Sequence, residues 1–240
     1  MGILKEEPII TSYLKFGIDA LYFNAACQNY HFAVQHWPKV FNGQKEYRHL
    51  IEQRNELEKR LGDDAVEENP IFYEAMSKIE FQAITIRKMF NPSLQYMATI
   101  HILCAGSLEA HINAIAKSAL SGVIFDSFEK APLELKWHTL PKLINLNGFK
   151  NGEEPFQNFS RLVKFRNALL HYKSKKEKWT SPDRMPEFLE KLGLTLPLSK
   201  RSIDTVADMV IGLSKQMGKS VPDWLNLQET EYIDVDFDIE

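Results

Sequence analysis

Apolar residues recur at helical spacing along most of this chain, with polar residues between them. In the first half, the spacing predicts helices over residues 12–35, 44–61, 71–90 and 93–121. The predicted breaks fall at dipeptides that end helices or turn the chain, namely Trp37-Pro38, Asn42-Gly43 and Asn91-Pro92. Residues 93–121 are apolar on more than one side, so we expect this helix in the middle of a helical bundle.

The second half of the chain continues the helical pattern. The predicted helices cover residues 132–145, 155–171, 183–192 and 199–218, and Ser199 is the expected cap of the last one. Apolar and acidic residues alternate only from Ile233 to Glu240, which predicts either a strand added to an exposed edge or a disordered tail. With no strand–helix–strand alternation and no internal repeat, the expected fold class is all-α, a helical bundle.

We divide the chain into three parts on this pattern. Residues 1–92 form an N-terminal helical extension, residues 93–219 a helical bundle, and residues 220–240 an acidic C-terminal tail. No flexible linker separates the extension from the bundle, so we expect both to pack on the same core.

Composition narrows the classes of function. The chain has 240 residues and a formal charge of -3, so any contact with RNA requires a local basic segment rather than the overall field. Its two cysteines, Cys27 and Cys104, lie far apart in apolar surroundings, which favours the reducing cytoplasm over a disulfide scaffold. The sequence shows no signal peptide and no run near the roughly 20 apolar residues of a membrane span. We therefore expect a soluble cytoplasmic protein with no membrane partner.

Most of the recognisable chemistry lies between Phe165 and Lys173, where an apolar helical segment carries Arg166, Asn167 and His171. The chain contains 8 Arg, 13 Asn and 7 His. With this composition, an Arg–His pair at that spacing is expected by chance roughly 0.2 times, and roughly 0.01 times if Asn must follow the Arg. The asparagine therefore carries much of the specificity. No metal-ligand, phosphate-loop or other catalytic motif is present, so we expect neither a metal nor a cofactor.

The three residues Arg166, Asn167 and His171 resemble the Arg-x(4–6)-His motif of the HEPN superfamily of helical-bundle ribonucleases and RNA-binding modules. The resemblance covers about residues 93–219. It implies a homodimer in which two motifs meet, and RNA cleavage without a metal. It also implies a role in a toxin–antitoxin pair or in phage defence, with an antitoxin or another regulatory protein as partner. Because the superfamily has inactive members, the alternative is a non-catalytic module that binds RNA or a protein.

Elementary chemistry assigns a role to each motif residue. An imidazole such as that of His171 can act as general acid or base near neutral pH. The guanidinium of Arg166 can stabilise the charge of a phosphorane, and Asn167 is the orienting group. The expected reaction is attack of the ribose 2′-OH on the adjacent phosphorus, which leaves a 2′,3′-cyclic phosphate. However, Arg166 is rotated by about 140° from His171 on a regular helix, which predicts a distorted turn or a second motif in a dimer.

Other residues are expected to assist the motif. The basic side chains around it are the predicted RNA-binding residues: Arg161, Lys164, Lys173, Lys175, Lys176 and Lys178. Their alternative role is that of a solvated helix end. Glu109 and Asn113 share one helix face and could support Arg166 or His171, although they could also be an ordinary exposed pair.

Tyr172 is a third supporting candidate and directly follows the histidine, whereas one toxin branch of the family carries its tyrosine two residues after it. The structural alternative for the motif is a network in which Arg166 pairs with a carboxylate and His171 hydrogen-bonds within the bundle.

Overall fold

A computed structural model of the chain describes residues 10–61, 69–173, 187–225 and 233–239. The α-helices, numbered in chain order, are α1 (Ile18–Leu61), α2 (Pro70–Ala119), α3 (Gly122–Glu129), α4 (Leu133–Leu143), α5 (Phe156–Leu170), α6 (Glu187–Lys191) and α7 (Leu196–Gln216). The remaining elements are strands β1 (Ile10–Phe16) and β2 (Ile233–Ile239) and a short 3₁₀ helix, Asp223–Leu225. The predicted all-α class is confirmed. In the parts of the chain that the structure describes, no helix combines the length and the apolar character of a membrane span.

Helix α1 runs through two predicted breaks, so the helix ends expected at Trp37-Pro38 and at the Asn42-Gly43 turn are wrong. A proline inside a helix costs about 3 kcal/mol. Trp37 and Val40, on either side of Pro38, are buried. Burying large apolar side chains stabilises by about 1.5–3 kcal/mol each, so packing around Pro38 offsets its cost.

Helix α2 likewise continues through Asn91-Pro92, where the sequence predicts an end, and that prediction is wrong. Ser93 is buried, and its hydroxyl donates an additional hydrogen bond of 2.9 Å to the carbonyl of Met89 across this turn. Met97, one turn later, is fully buried. The expected boundary between the extension and the bundle at residue 92 falls inside this helix.

The predicted start of the first helix at Ser12 is also wrong, because residues 10–16 form β1. This strand pairs antiparallel with β2, with Ile10 opposite Ile239 and Phe16 opposite Ile233. The acidic tail therefore contains the strand that its alternation predicts. Its partner is the N-terminal segment rather than the edge of a larger sheet.

The shorter helices agree with their patterns to different degrees. Helices α4 and α5 lie within one or two residues of the predicted bounds. Helix α3 falls between the predicted helices 93–121 and 132–145, where the sequence predicts no helix. The predicted helix 183–192 is seen as α6, and residues 183–186 lie outside the described residues. Ser199 is not the cap of α7, because it is buried inside that helix. Instead, the backbone N–H of Leu198 donates to Thr195 Oγ1 at 3.4 Å.

The described residues fall into two compact units. The first unit comprises residues of 1–25, 103–163 and 203–240, and the second comprises residues of 26–102 and 164–202. The first has a core around Trp137, Leu108 and Phe159, all fully buried. The second has a core in which Ala33, Trp37, Met97, Leu189 and Leu194 are buried together.

Candidate functional site

The motif lies at the C-terminal end of α5, within the second compact unit. The last helical residue is Leu170, but the backbone N–H of His171 still donates to the carbonyl of Asn167 at 3.0 Å. This is the regular hydrogen bond between residues four apart. The distorted turn that we considered for aiming Arg166 and His171 together is therefore not observed at this step.

The side chain of Arg166 partly resolves the angular difference. Its Nη1 donates to Asn167 Oδ1 at 3.0 Å, at an exposed position. Asn167 and His171 are four residues apart and share one face of the helix. The long arginine side chain thus reaches from its own face towards the face of His171. The hydrogen-bond partner of Arg166 is therefore an amide. The purely structural role considered from the sequence would instead pair Arg166 with a carboxylate.

The end of α5 is open to solvent. Lys164, His171 and Lys173 are all exposed, and the ring of Tyr172 is 41% exposed. These side chains and the Arg166–Asn167 pair form what we call the α5 end, residues 164–173. A polyanion can reach its cationic groups without displacing packed side chains.

The remaining predicted RNA-binding residues are Arg161, Lys175, Lys176 and Lys178, and the structure does not place them at the described α5 end. Arg161 is half-buried and belongs to the first compact unit. Lys175, Lys176 and Lys178 lie outside the described residues. Two of the six predicted RNA-binding residues, Lys164 and Lys173, therefore belong to the described α5 end.

The α5 end is anchored by a buried network of side chains. The sequence did not identify these residues as functional. Phe165, the residue before Arg166, packs on the ring of His101, with ring centroids 5.1 Å apart. His101 Nε2 lies 2.8 Å from the carbonyl of Gly193, and Nδ1 lies 2.9 Å from the hydroxyl of Ser202. Because a carbonyl can only accept, Nε2 carries the proton, and in the neutral ring Nδ1 is an acceptor. The Ser202 hydroxyl can donate to Nδ1 or to the carbonyl of Leu198, which lies 3.1 Å away. Burial lowers the pKa of His101 to about 4, although the bond to Gly193 opposes this shift.

Gly193 is required by this network. Its φ of +78° is in the left-handed region that favours glycine. A Cβ at this position would lie 2.7 Å from His101 Nε2 and 2.7 Å from Phe165 Cγ. The turn before α7 therefore closes against the same two rings that hold α5.

The predicted supporting residues Glu109 and Asn113 lie on α2 in the first compact unit. Glu109 Oε1 accepts a hydrogen bond of 2.8 Å from the ammonium group of Lys136, whose side chain is only 1% exposed. Asn113 Oδ1 is buried, and no hydrogen-bond partner for it lies within the described residues. Glu109 is thus half of an ion pair rather than an ordinary exposed residue.

The first unit also contains an acid–imidazole pair that the sequence did not reveal. Asp19 Oδ2 lies 3.0 Å from His111 Nδ1, and His111 also packs against Trp137 and Trp224. Burial alone would raise the pKa of Asp19, but the hydrogen bond and charge of His111 and the backbone N–H of Ala20 lower it overall. No local signal joins residues that are 92 positions apart.

Within the described ranges, no three His, Cys, Asp or Glu side chains are grouped so that they could hold a metal ion.

Comparison with family models, curated proteins and solved structures found no match to this chain. The resemblance to the HEPN superfamily therefore stays a prediction that depends on the motif and on the helical class.

Proposed function

We propose that this protein is a metal-independent endoribonuclease whose active site is the α5 end. The observation that carries the proposal is the hydrogen bond between Arg166 and Asn167, which holds a guanidinium at an exposed site near the face of His171. This arrangement supplies a fixed positive charge and a titratable imidazole at one solvent-accessible place.

The proposed reaction needs only these groups and the RNA. The ribose 2′-oxygen forms a bond to the adjacent phosphorus, and the bond from phosphorus to the 5′-oxygen breaks. One His171 accepts the proton of the 2′-OH, and the protonated His171 of a second copy of the chain donates a proton to the leaving 5′-oxygen. Arg166 stabilises the additional negative charge of the phosphorane, and Asn167 keeps the guanidinium in position.

The remaining parts of the proposal rest on the resemblance to the HEPN superfamily. A homodimer would bring a second His171 to the site, so that one imidazole acts as base and the other as acid. The proposed biological role is that of a toxin or phage-defence effector in the cytoplasm, restrained by an antitoxin or another regulatory protein.

The test is cleavage of labelled single-stranded RNA in the presence of EDTA. We expect products with 2′,3′-cyclic phosphate ends, and a loss of at least about 100-fold in rate for His171→Ala and for Arg166→Ala. Matched controls are His49→Ala and Arg60→Ala, which change exposed residues of the same types on α1. RNA with 2′-deoxyribose at the cleaved position should resist the enzyme.

Equal cleavage by the wild type and both motif variants would refute the catalytic assignment. Binding of RNA without cleavage, weakened by Lys164→Ala and Lys173→Ala, would instead support the non-catalytic alternative.

A further inference from the structure

A groove between α1 and α2 is separate from the α5 end and lies wholly within the second compact unit. Its volume is about 480 Å³, which is within the range of about 300–1,000 Å³ for pockets that hold small molecules. The side chains that determine its chemistry are Tyr47, Arg48, Ala83, Ile86, Arg87 and Phe90.

The two helices are fastened together beside this groove. Gly43 lies where α2 approaches α1 so closely that a Cβ would be 3.0 Å from Ile86 Cγ1. Gln82 is buried, and its Nε2 donates to the carbonyl of Gly43 and to Glu46 Oε2, both at 3.1 Å. Phe90, at the other end, stacks on Trp37 of the buried core, with ring centroids 6.0 Å apart. The walls of the groove are therefore held before any ligand arrives.

The lining combines apolar surface with positive charge. The lining is mostly apolar, with surface from Ala83, Ile86 and Phe90, and Arg48 and Arg87 are also among the lining residues. None of the described residues that line the groove is acidic. A planar guanidinium binds a carboxylate with two parallel hydrogen bonds. The groove thus suits an anion that also has an apolar body.

We propose that the groove binds an acyl chain that ends in a carboxylate. The chain lies against Ile86 and Phe90, and the carboxylate is bound by Arg48 and Arg87. This proposal does not depend on the ribonuclease activity, because none of the groove residues belongs to the α5 end.

The experiment is isothermal titration calorimetry of the full chain with decanoate, with decanol and decyltrimethylammonium as uncharged and cationic probes of the same chain length. We expect decanoate to bind more tightly than either control. Arg48→Gln and Arg87→Gln should each weaken decanoate binding about tenfold, which is the usual loss for a hydrogen bond to a charged group. Arg60→Gln, which removes an exposed arginine further along α1, should leave binding unchanged.

A second variant tests the apolar part. Ala83→Trp fills the groove and should abolish binding, while circular dichroism verifies that the helices remain. The proposal is overturned if decanol binds as well as decanoate, if the arginine variants bind normally, or if Ala83→Trp still binds. It is also overturned if the wild type is a dimer that Ala83→Trp converts to a monomer, because the occupant is then a second copy of the chain.

Discussion

Acidification should destabilise the second compact unit through His101. The side chain is fully buried between Gly193, Ser202 and the ring of Phe165. Its folded-state pKa is about 4, compared with 6.5 for an ordinary histidine. Between these two values the unfolded chain binds a proton at this position and the folded chain does not. The contribution of the neutral His101 to stability is therefore complete above about pH 6.5 and is lost as the pH falls to about 4.

The magnitude follows from the same two values. A difference of this size corresponds to about 3 kcal/mol of unfolding free energy, all of it lost by about pH 4. We expect urea unfolding, monitored by circular dichroism at about pH 7.5 and about pH 4, to show this loss in the wild type. His101→Gln cannot be protonated, so it should start less stable at the higher pH and lose about 3 kcal/mol less on acidification.

The control is His49→Gln, which changes an exposed histidine of α1 and should keep the pH dependence of the wild type. The reasoning is refuted if His101→Gln and the wild type lose the same unfolding free energy between the two pH values.

Two further predictions concern stability and can be checked by the same unfolding experiment at neutral pH. Glu109→Ala should cost about 3 kcal/mol, because it leaves the buried ammonium of Lys136 without its carboxylate. Lys136→Met should cost less, since Glu109 is 38% exposed and stays hydrated, and a larger cost for Lys136→Met would contradict this reasoning. Gly193→Ala should cost about 3 kcal/mol or more, from its positive φ and the overlap with His101 and Phe165. Gly218→Ala, also at positive φ but with open space around it, should cost about 1 kcal/mol, and equal losses would show that the overlap has no effect.

Local pattern predicted the helical class and several helix bounds. The end of α1 at Leu61 and the range of α4 follow from apolar spacing and turn residues. Phe156 and Phe159 are buried on the expected face of α5. Spacing alone also located the α5 end, because Arg166, Asn167 and His171 are neighbours in sequence and their hydrogen bonds are local.

The interruptions of helices were predicted less well, because they depend on a balance between the local cost of a proline and the stabilisation gained by burying apolar side chains. Pro38 and Pro92 each disfavour a helix locally, and sequence reasoning counts that cost. The compensating burial of Trp37 and Met97 is a property of the packed core and has no local signature. The continuity of the two long helices therefore depends on tertiary packing.

The sequence by itself determined the all-α class and the motif at the end of α5. The tertiary structure alone decided what supports that motif. His101 and Gly193 are 92 residues apart, and the hydrogen bond between them follows from how the chain folds back. The same holds for Lys136 and Glu109, and for the pairing of β1 with β2. Periodicity reports which face of a helix is buried, but the partner that covers the face is chosen by packing and hydrogen bonding between distant segments.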